Sequence, residues 1–366
     1  MVKPSGIGIL GLMLGMCFAS CASSGAGAAS GALPDTAGAE AEAASGPIEN
    51  VENVEKVENG AADPEVPPAA TVYIAGSYKD RGVWRACYWK DGEFAALDGD
   101  DARASSIAVA GGSVYVAGEA GGRACYWKDG VKASLPFTGD AARANAVAVA
   151  ENSVYIAGSY KDRGVWRACY WKDGELTALD GAGTSAEAYA VAVAGGLVYT
   201  AGYAVSHPRY EACVWKGGEL IYLDSYAFSD ASARDVIVAE GSVYSAGADD
   251  RTACYWQDGV KTELPASGTS AQAVSIAVAG GSVYAAGYYS DGSRNACYWK
   301  NSAVTLLPAS GTEAAAVSIA VAGGSVYAAG YYKDGSVRAC YWRDGVKTDL
   351  PAPGISAITS AITLAP

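Results

Sequence analysis

The sequence has little of what most enzymes and nucleic-acid-binding proteins use. It contains one histidine, His207, and no group of histidines, cysteines and carboxylates at metal-ligand spacing. Acidic residues outnumber basic ones by 39 to 26, without a basic patch, which argues against binding to a phosphate backbone. No phosphate-binding glycine loop or nucleophile elbow is present. We therefore expect no cofactor, no metal, no nucleic acid partner and no catalytic residues.

A hydrophobic run long enough to cross a membrane is also missing near the N-terminus. The apolar run at residues 6–18 has 13 residues, whereas a membrane-spanning helix takes about 20. It follows Lys3 and precedes small residues, which predicts a signal peptide over residues 1–20. The segment Phe18-Ala19-Ser20-Cys21 is similar to a bacterial lipobox, with Phe18 in place of the usual leucine. This similarity implies a lipoprotein with palmitate or a related acyl chain on Cys21; the alternative is an ordinary secretory leader cut nearby.

Aromatic and branched core residues are almost absent from residues 22–70. This segment carries nine acidic residues and one lysine, a net charge of −8, against −6 for residues 71–366. Such a composition cannot bury enough apolar surface to order itself. Residues 21–70 are therefore predicted to be a lipidated cysteine followed by a disordered acidic tether.

The remainder, residues 71–366, is one motif repeated seven times. The dipeptide Val-Tyr occurs at seven places separated by 40 to 45 residues, and each copy is followed by Ala-Cys-Tyr-Trp or, once, Ala-Cys-Val-Trp. A period of this length is typical of a four-stranded propeller blade. We predict an all-β fold, a seven-bladed β-propeller of four-stranded blades.

One copy, residues 274–308, shows how the strands are predicted. The first strand is expected at 274–279, the second at 282–287, the third at 296–300, and the fourth ends at Leu307-Pro308. Glycine pairs and Asp-Gly pairs supply the positive φ angles of tight hairpins. The longest regular link follows Leu-Pro, so the small-residue strand is taken as the first and innermost one.

The first copy lacks this first strand, and the chain ends in a segment that resembles it. Residues 350–365 align with residues 264–279, a link followed by a first strand. We therefore predict that the C-terminal strand pairs with blade one and closes the ring, which would remove exposed sheet edges.

The repeated tryptophans and cysteines are interpreted first as packing residues. Both faces of a blade contact other blades, so the tryptophans are expected between blades; the alternative is one sugar site for each tryptophan. Seven cysteines occupy equivalent positions, and packed sheets about 10 Å apart are too distant for a disulfide. They are expected to be buried free thiols.

Sequence variation concentrates between the second and third strands. Aromatic residues on loops over a rigid scaffold often bind ligands, although the same side chains can merely cover the rims of blades. The candidate ligand-binding residues in this variable region are Tyr78, Trp84, Tyr160, Trp166, Tyr203, Tyr210, Tyr288, Tyr289, Tyr331 and Tyr332.

The repeat unit at residues 316–350 resembles the HAF-type extracellular repeats of bacteria. The shared features are a glycine-bounded strand, an Ala-x-x-Trp strand, a glycine-containing turn and a leucine. His and Phe of that pattern are replaced here, the latter by cysteine. The resemblance covers residues 71–365 and implies a secreted propeller.

Together these features predict a cell-envelope lipoprotein, held at a membrane by its N-terminal lipid in the periplasm or at the surface. The expected function is a non-enzymatic, monomeric binding scaffold for a glycan, peptide or protein partner. Two alternatives stay open: a propeller hydrolase or lyase acting on envelope glycans, and a structural or antigenic surface protein without a defined ligand.

Overall fold

A computed structural model describes residues 70–366 except 180, 182, 184, 207–208 and 227–228. The described residues form 28 β-strands and no helix, so the all-β class is confirmed. The expected signal peptide, Cys21 and the acidic tether lie outside the described residues, as does His207.

The strands are named here in chain order. They are β1 (Thr71–Asp80), β2 (Val83–Lys90), β3 (Glu93–Ala96), β4 (Ala102–Ala110), β5 (Ser113–Ala120), β6 (Arg123–Lys128), β7 (Val131–Ser134), β8 (Ala141–Ala150), β9 (Ser153–Asp162), β10 (Val165–Lys172), β11 (Glu175–Ala178), β12 (Ala186–Ala194), β13 (Leu197–Ser206), β14 (Arg209–Lys216), β15 (Glu219–Tyr222), β16 (Ala231–Ala239), β17 (Ser242–Asp249), β18 (Thr252–Gln257), β19 (Val260–Glu263), β20 (Ser270–Ala279), β21 (Ser282–Ser290), β22 (Arg294–Lys300), β23 (Ala303–Leu306), β24 (Glu313–Ala322), β25 (Ser325–Asp334), β26 (Ser336–Arg343), β27 (Val346–Asp349) and β28 (Ser356–Ala365).

Every repeat folds as a four-stranded antiparallel sheet, which we call a unit. Unit 1 has the order β28-β1-β2-β3, and units 2 to 7 take β4–β7, β8–β11, β12–β15, β16–β19, β20–β23 and β24–β27 in turn. A single parallel bridge between Arg294 and Glu313 joins units 6 and 7 into one larger sheet. The predicted sequence of first, second, third and fourth strands within a repeat is therefore confirmed.

The first strands are longer than predicted. In unit 6 the strand begins at Ser270 rather than at residue 274, so part of the expected link pairs with the second strand. The register shifts between Ala273 and Ser275, which is a β-bulge. An equivalent shift occurs in every other first strand for which a pairing with the second strand is described, in units 2, 3, 4, 5, 7 and 1. The bulge interrupts the alternation of side chains between the two faces of the sheet. The sequence pattern therefore predicts a first strand that begins only after the bulge, at residue 274, instead of at Ser270.

The C-terminal strand β28 completes the sheet of unit 1. It runs antiparallel to β1, from the Thr71–Ala365 pair to the Lys79–Ser356 pair. The strand also contacts β4 of unit 2 and β24 of unit 7. Ile362, at its centre, is fully buried. The first unit is thus built from the two ends of the described chain.

The repeated tryptophans join neighbouring units. All seven are fully buried, which fits the packing interpretation rather than the alternative of one sugar site for each tryptophan. In unit 6, the Trp299 indole N–H donates to the Pro265 carbonyl in the preceding link at 2.7 Å. The Trp89 indole makes the same bond to the Pro351 carbonyl, at 2.6 Å, across 262 residues of sequence. The junction of units 7 and 1 therefore has the same chemistry as the junctions between consecutive repeats.

Short polar side chains connect neighbouring first strands. The hydroxyl oxygens of Ser106, Ser275 and Ser318 each accept a hydrogen bond from a backbone N–H of the next first strand, at 3.0 to 3.2 Å. In unit 5 this position is Asp235, whose Oδ2 accepts from the Ile276 N–H at 2.9 Å. Asp235 is fully buried, and burial raises the pKa of its carboxyl from 3.8 to about 7.

Aspartates at the third-to-fourth hairpins have a structural role. Asp91 has a φ of 48° and Gly92 a φ of 85°, the conformation of a tight hairpin turn. The Asp91 carboxylate also accepts from the Val72 N–H at 2.9 Å, and Asp129, Asp173, Asp258 and Asp344 bind the matching valine N–H groups. Most repeated aspartates are thereby accounted for without a catalytic role.

The seven repeat cysteines are buried free thiols, as expected. Burial raises the pKa of each one, to about 12 for Cys125. Thiols with raised pKa values hold little thiolate at neutral pH and are poor nucleophiles.

Removing residues 355–366 is expected to lower the melting temperature sharply and to cause aggregation. The truncation uncovers the whole edge of β1 and removes the buried Ile358 and Ile362, and an unpaired edge recruits other chains. Differential scanning calorimetry and light scattering would measure both effects. Deletion of the exposed Pro366 alone is the control. An unchanged melt in the longer truncation would contradict a structural role for β28.

Replacing Asp235 by serine, the residue of the equivalent position in units 2, 6 and 7, is expected to stabilise the protein at alkaline pH. The folded-state pKa lies above the unfolded value of about 3.9, so the stabilising contribution of Asp235 is complete below pH 4 and is lost as the pH rises through about 7. The advantage of Asp235→Ser should therefore grow by up to roughly 3 kcal/mol between pH 5 and pH 8. Urea unfolding at both pH values measures it, with Ser106→Ala as a non-titrating control; a pH-independent difference would contradict the argument.

Candidate functional site

The aromatic candidates fall on two opposite faces of the sheets. In the second strands, the residue directly after the repeated glycine (Tyr203, Tyr288 and Tyr331) lies on one face of the sheet, and the next residue (Tyr78, Tyr160, Tyr289 and Tyr332) lies on the opposite face. Tyr78, Tyr289 and Tyr332 are buried within one core cluster, and Tyr160 packs against another.

Tyr78, Tyr289 and Tyr332 pack against neighbouring side chains in this structure. The Tyr78 ring meets the Phe94 ring edge-on, with 5.2 Å between centroids. The Lys347 ammonium lies over the Tyr332 ring at 3.9 Å. With exposures of 7% for Tyr78 and Tyr289 and 4% for Tyr332, these side chains offer no surface to a ligand. The burial of these three fits the alternative, raised from the sequence, that such side chains cover the rims of blades.

Three other candidates, Trp166, Tyr203 and Tyr210, surround a buried carboxylate in unit 4. Glu187, on β12, is paired in register with Tyr203 on β13. The Tyr203 hydroxyl donates to Glu187 Oε1 at 3.0 Å. Arg143 of unit 3 places its Nη1 atom 3.6 Å from Glu187 Oε2, an oxygen that accepts no hydrogen bond. We call Arg143, Trp166, Glu187, Tyr189, Tyr203, Tyr210 and Arg234 the Glu187 cluster.

Aromatic rings and guanidinium groups alternate in this cluster. The Arg143 guanidinium stacks over the Trp166 ring at 4.3 Å, and that of Arg234 stacks over the Tyr189 ring at 4.6 Å. Both distances fit cation–π contacts. Tyr203 lies between Tyr189 and Tyr210, with centroids 5.8 and 4.9 Å away. Units 3, 4 and 5 all contribute, so the cluster exists only where three repeats meet.

The electrostatics of the cluster follow from its burial. Burial raises the pKa of the Glu187 carboxyl, and the charges of Arg143 and Arg234 and the Tyr203 hydrogen bond act in the opposite direction. Burial also raises the pKa values of the Tyr189 and Tyr203 hydroxyls. Both phenols therefore stay protonated and act as hydrogen-bond donors at neutral pH.

Access to the cluster is through its outer members. Glu187 is only 2% exposed, whereas Tyr210 is 47% exposed and the Arg143 side chain is 38% exposed. Trp166 is half-buried. The exposed parts are thus a phenol ring, an indole and a guanidinium, which can stack on a ligand ring and donate hydrogen bonds.

Smaller aromatic–arginine pairs occupy the same face of other units. Arg103 of unit 2 stacks over Trp84 of unit 1 at 4.8 Å. In unit 6 the Tyr288 hydroxyl donates to the Gln272 side chain at 2.7 Å. Arg294 stacks over Tyr288 at 4.3 Å and donates to the Tyr331 hydroxyl of unit 7 at 2.8 Å. Trp84, Tyr288 and Tyr331 are thereby placed on the same face, each half-buried.

The sequence pattern of the first strands contained a signal for Arg103, Arg143 and Glu187. Two residues before each bulge, the repeats carry Arg103, Arg143, Glu187, Ser232, Gln272, Ala315 and Ile358. The adjoining positions are almost always alanine. A single variable position inside an otherwise uniform strand marks a surface that packing does not dictate. This position lies on the first strands, outside the variable loops between second and third strands.

The cluster has no features of a metal centre or a membrane span. Among residues of the described part of the chain, no group of three or more histidine, cysteine, aspartate or glutamate side chains could hold a metal ion. A search of the same residues finds no helix of the length and apolarity that a membrane crossing needs.

The chain has matches among solved structures but none among protein-family models or curated proteins. No protein-family model matches the chain, and no curated protein matches it. Among the solved structures that do match, one described as "Structure of YjhT" aligns with a TM-score of 0.38 and 12% sequence identity, covering 63% of this chain and 99% of that chain.

Proposed function

We propose that the seven units form a closed seven-bladed β-propeller. Three observations support this proposal. The strand β28 pairs with β1 and contacts the first strands of units 2 and 7. The Trp89–Pro351 hydrogen bond repeats the bond that other units make to the preceding link. The Ser318 hydroxyl of unit 7 accepts from the Ile362 N–H of β28, as Ser275 does for Ile319.

On this scaffold, the proposed function is non-enzymatic binding of a glycan, peptide or protein partner in the cell envelope. The chain would be held to the membrane through a lipid on Cys21. It would act as a monomer, and its propeller would be similar to those of HAF-type repeat proteins. The observation that supports binding most directly is the Glu187 cluster, with stacked aromatic and guanidinium groups partly open to solvent. Such groups give a ligand both a flat contact surface and oriented hydrogen-bond donors.

The charge pattern around the ring also favours one binding sector. Units 2 to 4 place Arg103, Arg143 and Glu187 at the variable first-strand position, whereas units 7 and 1 place Ala315 and Ile358 there. A purely structural ring would have no reason to differ between sectors. An envelope glycan hydrolase or lyase is the less favoured alternative, because Glu187 is almost completely buried.

Binding is expected to depend on Trp84 and Trp166. Residues 71–366 would be tested on a glycan array and in pull-downs from envelope extracts, followed by isothermal titration with the ligand identified. We expect the Trp84→Ala/Trp166→Ala double variant to weaken binding at least tenfold, because each substitution removes the surface on which an arginine is stacked. The control is Val131→Ala/Val260→Ala, which removes exposed apolar side chains elsewhere. Equal losses in both double variants, or no specific ligand for the parent, would refute the proposal.

The membrane anchor has a separate test. The full-length chain is expected to sediment with membranes and to incorporate labelled palmitate in a bacterial host, while Cys21→Ser is exported without the label. Cys17→Ser is the matched control, because it changes a cysteine within the predicted leader. Membrane association that survives Cys21→Ser would exclude Cys21 as the anchor.

A further inference from the structure

Three clefts of the same construction lie at consecutive junctions: between units 5 and 6, units 6 and 7, and units 7 and 1. Their volumes are about 420, 470 and 360 Å³. Each is bounded by the start of a third strand, the end of a fourth strand, and the Leu-Pro link that leads to the next first strand. We call them the link clefts. None of the Glu187 cluster residues lines them.

The links hold the clefts in a fixed shape. In each link one glycine passes close to a carbonyl of the next unit's second strand. A Cβ atom on Gly268, Gly311 or Gly354 would lie 2.2, 1.9 or 2.3 Å from the facing carbonyl oxygen. The residue after the first two glycines, Thr269 or Thr312, donates its N–H to the same carbonyl, at 2.8 and 3.0 Å. The link therefore cannot collapse into the cleft without losing these contacts.

The three clefts share a chemistry as well as a shape. Each is lined by one arginine and at least one carboxylate, with hydroxyl groups and no aromatic side chain. The pairs are Arg251 with Glu263, Arg294 with Glu313, and Arg338 with Asp349. Among the described residues, no ion pair within 4.0 Å joins the two members of a pair. Three of the six charged groups have other partners: Glu263 accepts from the Tyr226 hydroxyl, Asp349 pairs with Lys347, and Arg294 donates to the Tyr331 hydroxyl.

This combination favours a neutral ligand rich in hydroxyl groups. A guanidinium only donates hydrogen bonds and a carboxylate only accepts them. A hydroxyl group does both, so neighbouring hydroxyls of one sugar can contact the guanidinium and the carboxylate of one cleft through the hydrogen-bonding positions that their protein partners leave open. Because each cleft is lined by one positive and one negative side chain, it has no net charge that would favour an anionic or a cationic ligand over a neutral one.

The clefts also recur at a regular interval along the sequence. The alanines that follow the proline of each link, Ala266, Ala309 and Ala352, are each 43 residues apart. Equivalent sites on consecutive repeats present the same contacts again and again, which suits a polymer whose own units repeat. Several weak contacts along one polymer then combine into a much higher avidity.

The Leu-Pro link of unit 2 carries a larger side chain than the links of units 5, 6 and 7. This link, Leu135-Pro136-Phe137, carries phenylalanine where the other three carry alanine. Phe137 is half-buried against the core cluster of units 2 and 3. The link is otherwise equivalent, since Gly139 approaches the Lys161 carbonyl in the same way, with a Cβ at 2.1 Å. The backbone of a Leu-Pro link is therefore compatible with a phenylalanine at this position in unit 2.

We propose that the three link clefts bind successive segments of one neutral polysaccharide chain. The proposal rests on the binding function proposed above and names its ligand class. The site is separate from the Glu187 cluster, so the two can be tested independently.

The experiment fills the clefts with the side chain that unit 2 already carries. Residues 71–366, the single variants Ala266→Phe, Ala309→Phe and Ala352→Phe, and the triple variant would be compared by affinity gel electrophoresis. The gels would contain dextran, pullulan, mannan or laminarin as neutral polymers and alginate as an anionic one. Ala303→Phe, at an exposed position on β23 outside the clefts, is the matched control. Melting temperatures verify that every variant is folded.

We expect retardation by at least one neutral polymer and none by alginate. Each single variant should weaken it by roughly three- to tenfold and the triple variant by roughly 30-fold or more, since effects at separate sites multiply, while Ala303→Phe matches the parent. Binding that survives the triple variant, or retardation by alginate alone, would overturn the proposal. No retardation by any polymer would also overturn it, yet partner capture through Trp84 and Trp166 would leave the proposed binding function standing.

Discussion

The structure depends on covering both faces of every four-stranded sheet. Each third strand buries an alanine, a cysteine and a tryptophan, so neither face is left for water. The indole N–H is the one polar group in this stack, and leaving it unpaired would cost about 1–3 kcal/mol. The carbonyl of the preceding link accepts it in six of the units. Sheet packing and the path of the link are therefore fixed by the same side chain.

The repeated Ala-Gly of the second strands follows from the bulges and not from a turn. A Cβ on Gly158 or Gly202 would lie 2.0 or 1.9 Å from the carbonyl oxygen of Arg143 or Glu187. The glycine thus admits the bulged first strand and holds the backbone of that residue close to the second strand. Because this contact recurs in other units, such as Gly287 with Gln272, the backbone at the variable position is nearly invariant. Side chains there can change from arginine to glutamate to isoleucine without disturbing the sheet.

The strands could be predicted well from the sequence, because the same pattern of strand and turn residues occurs seven times. Tight turns at Asp91-Gly92 and its equivalents could be recognised from residue type alone. Bulges could not, because the extra residue of a first strand, such as Val274, resembles its neighbours and only the pairing partner reveals it. The Glu187 cluster was only half predicted for the same reason. Trp166, Tyr203 and Tyr210 lie on second and third strands that the pattern predicted. Tyr189 and the three charged residues Arg143, Glu187 and Arg234 lie on first strands, which begin earlier than the pattern predicts.

Two repeats show why identical sequences do not make identical sites. Residues 72–93 and 154–175 are the same, yet their surroundings differ. Tyr78 is buried against Phe94, while Tyr160, with Leu176 in that place, is half-buried. Trp84 is covered by an arginine of the next unit, and Trp166 by one of its own unit, Arg143, which also faces Glu187.

The chemistry of a position is therefore set by the units on either side of it. A duplicated repeat acquires a new environment as soon as it is placed between different neighbours. Specificity can then change through substitutions at the variable first-strand position and in the links, such as Phe137 against Ala266. The tryptophan, cysteine and glycine that hold the sheets together do not have to change with them. This separation explains how a chain so uniform in its core carries both a charged aromatic cluster in one sector and polar link clefts in another.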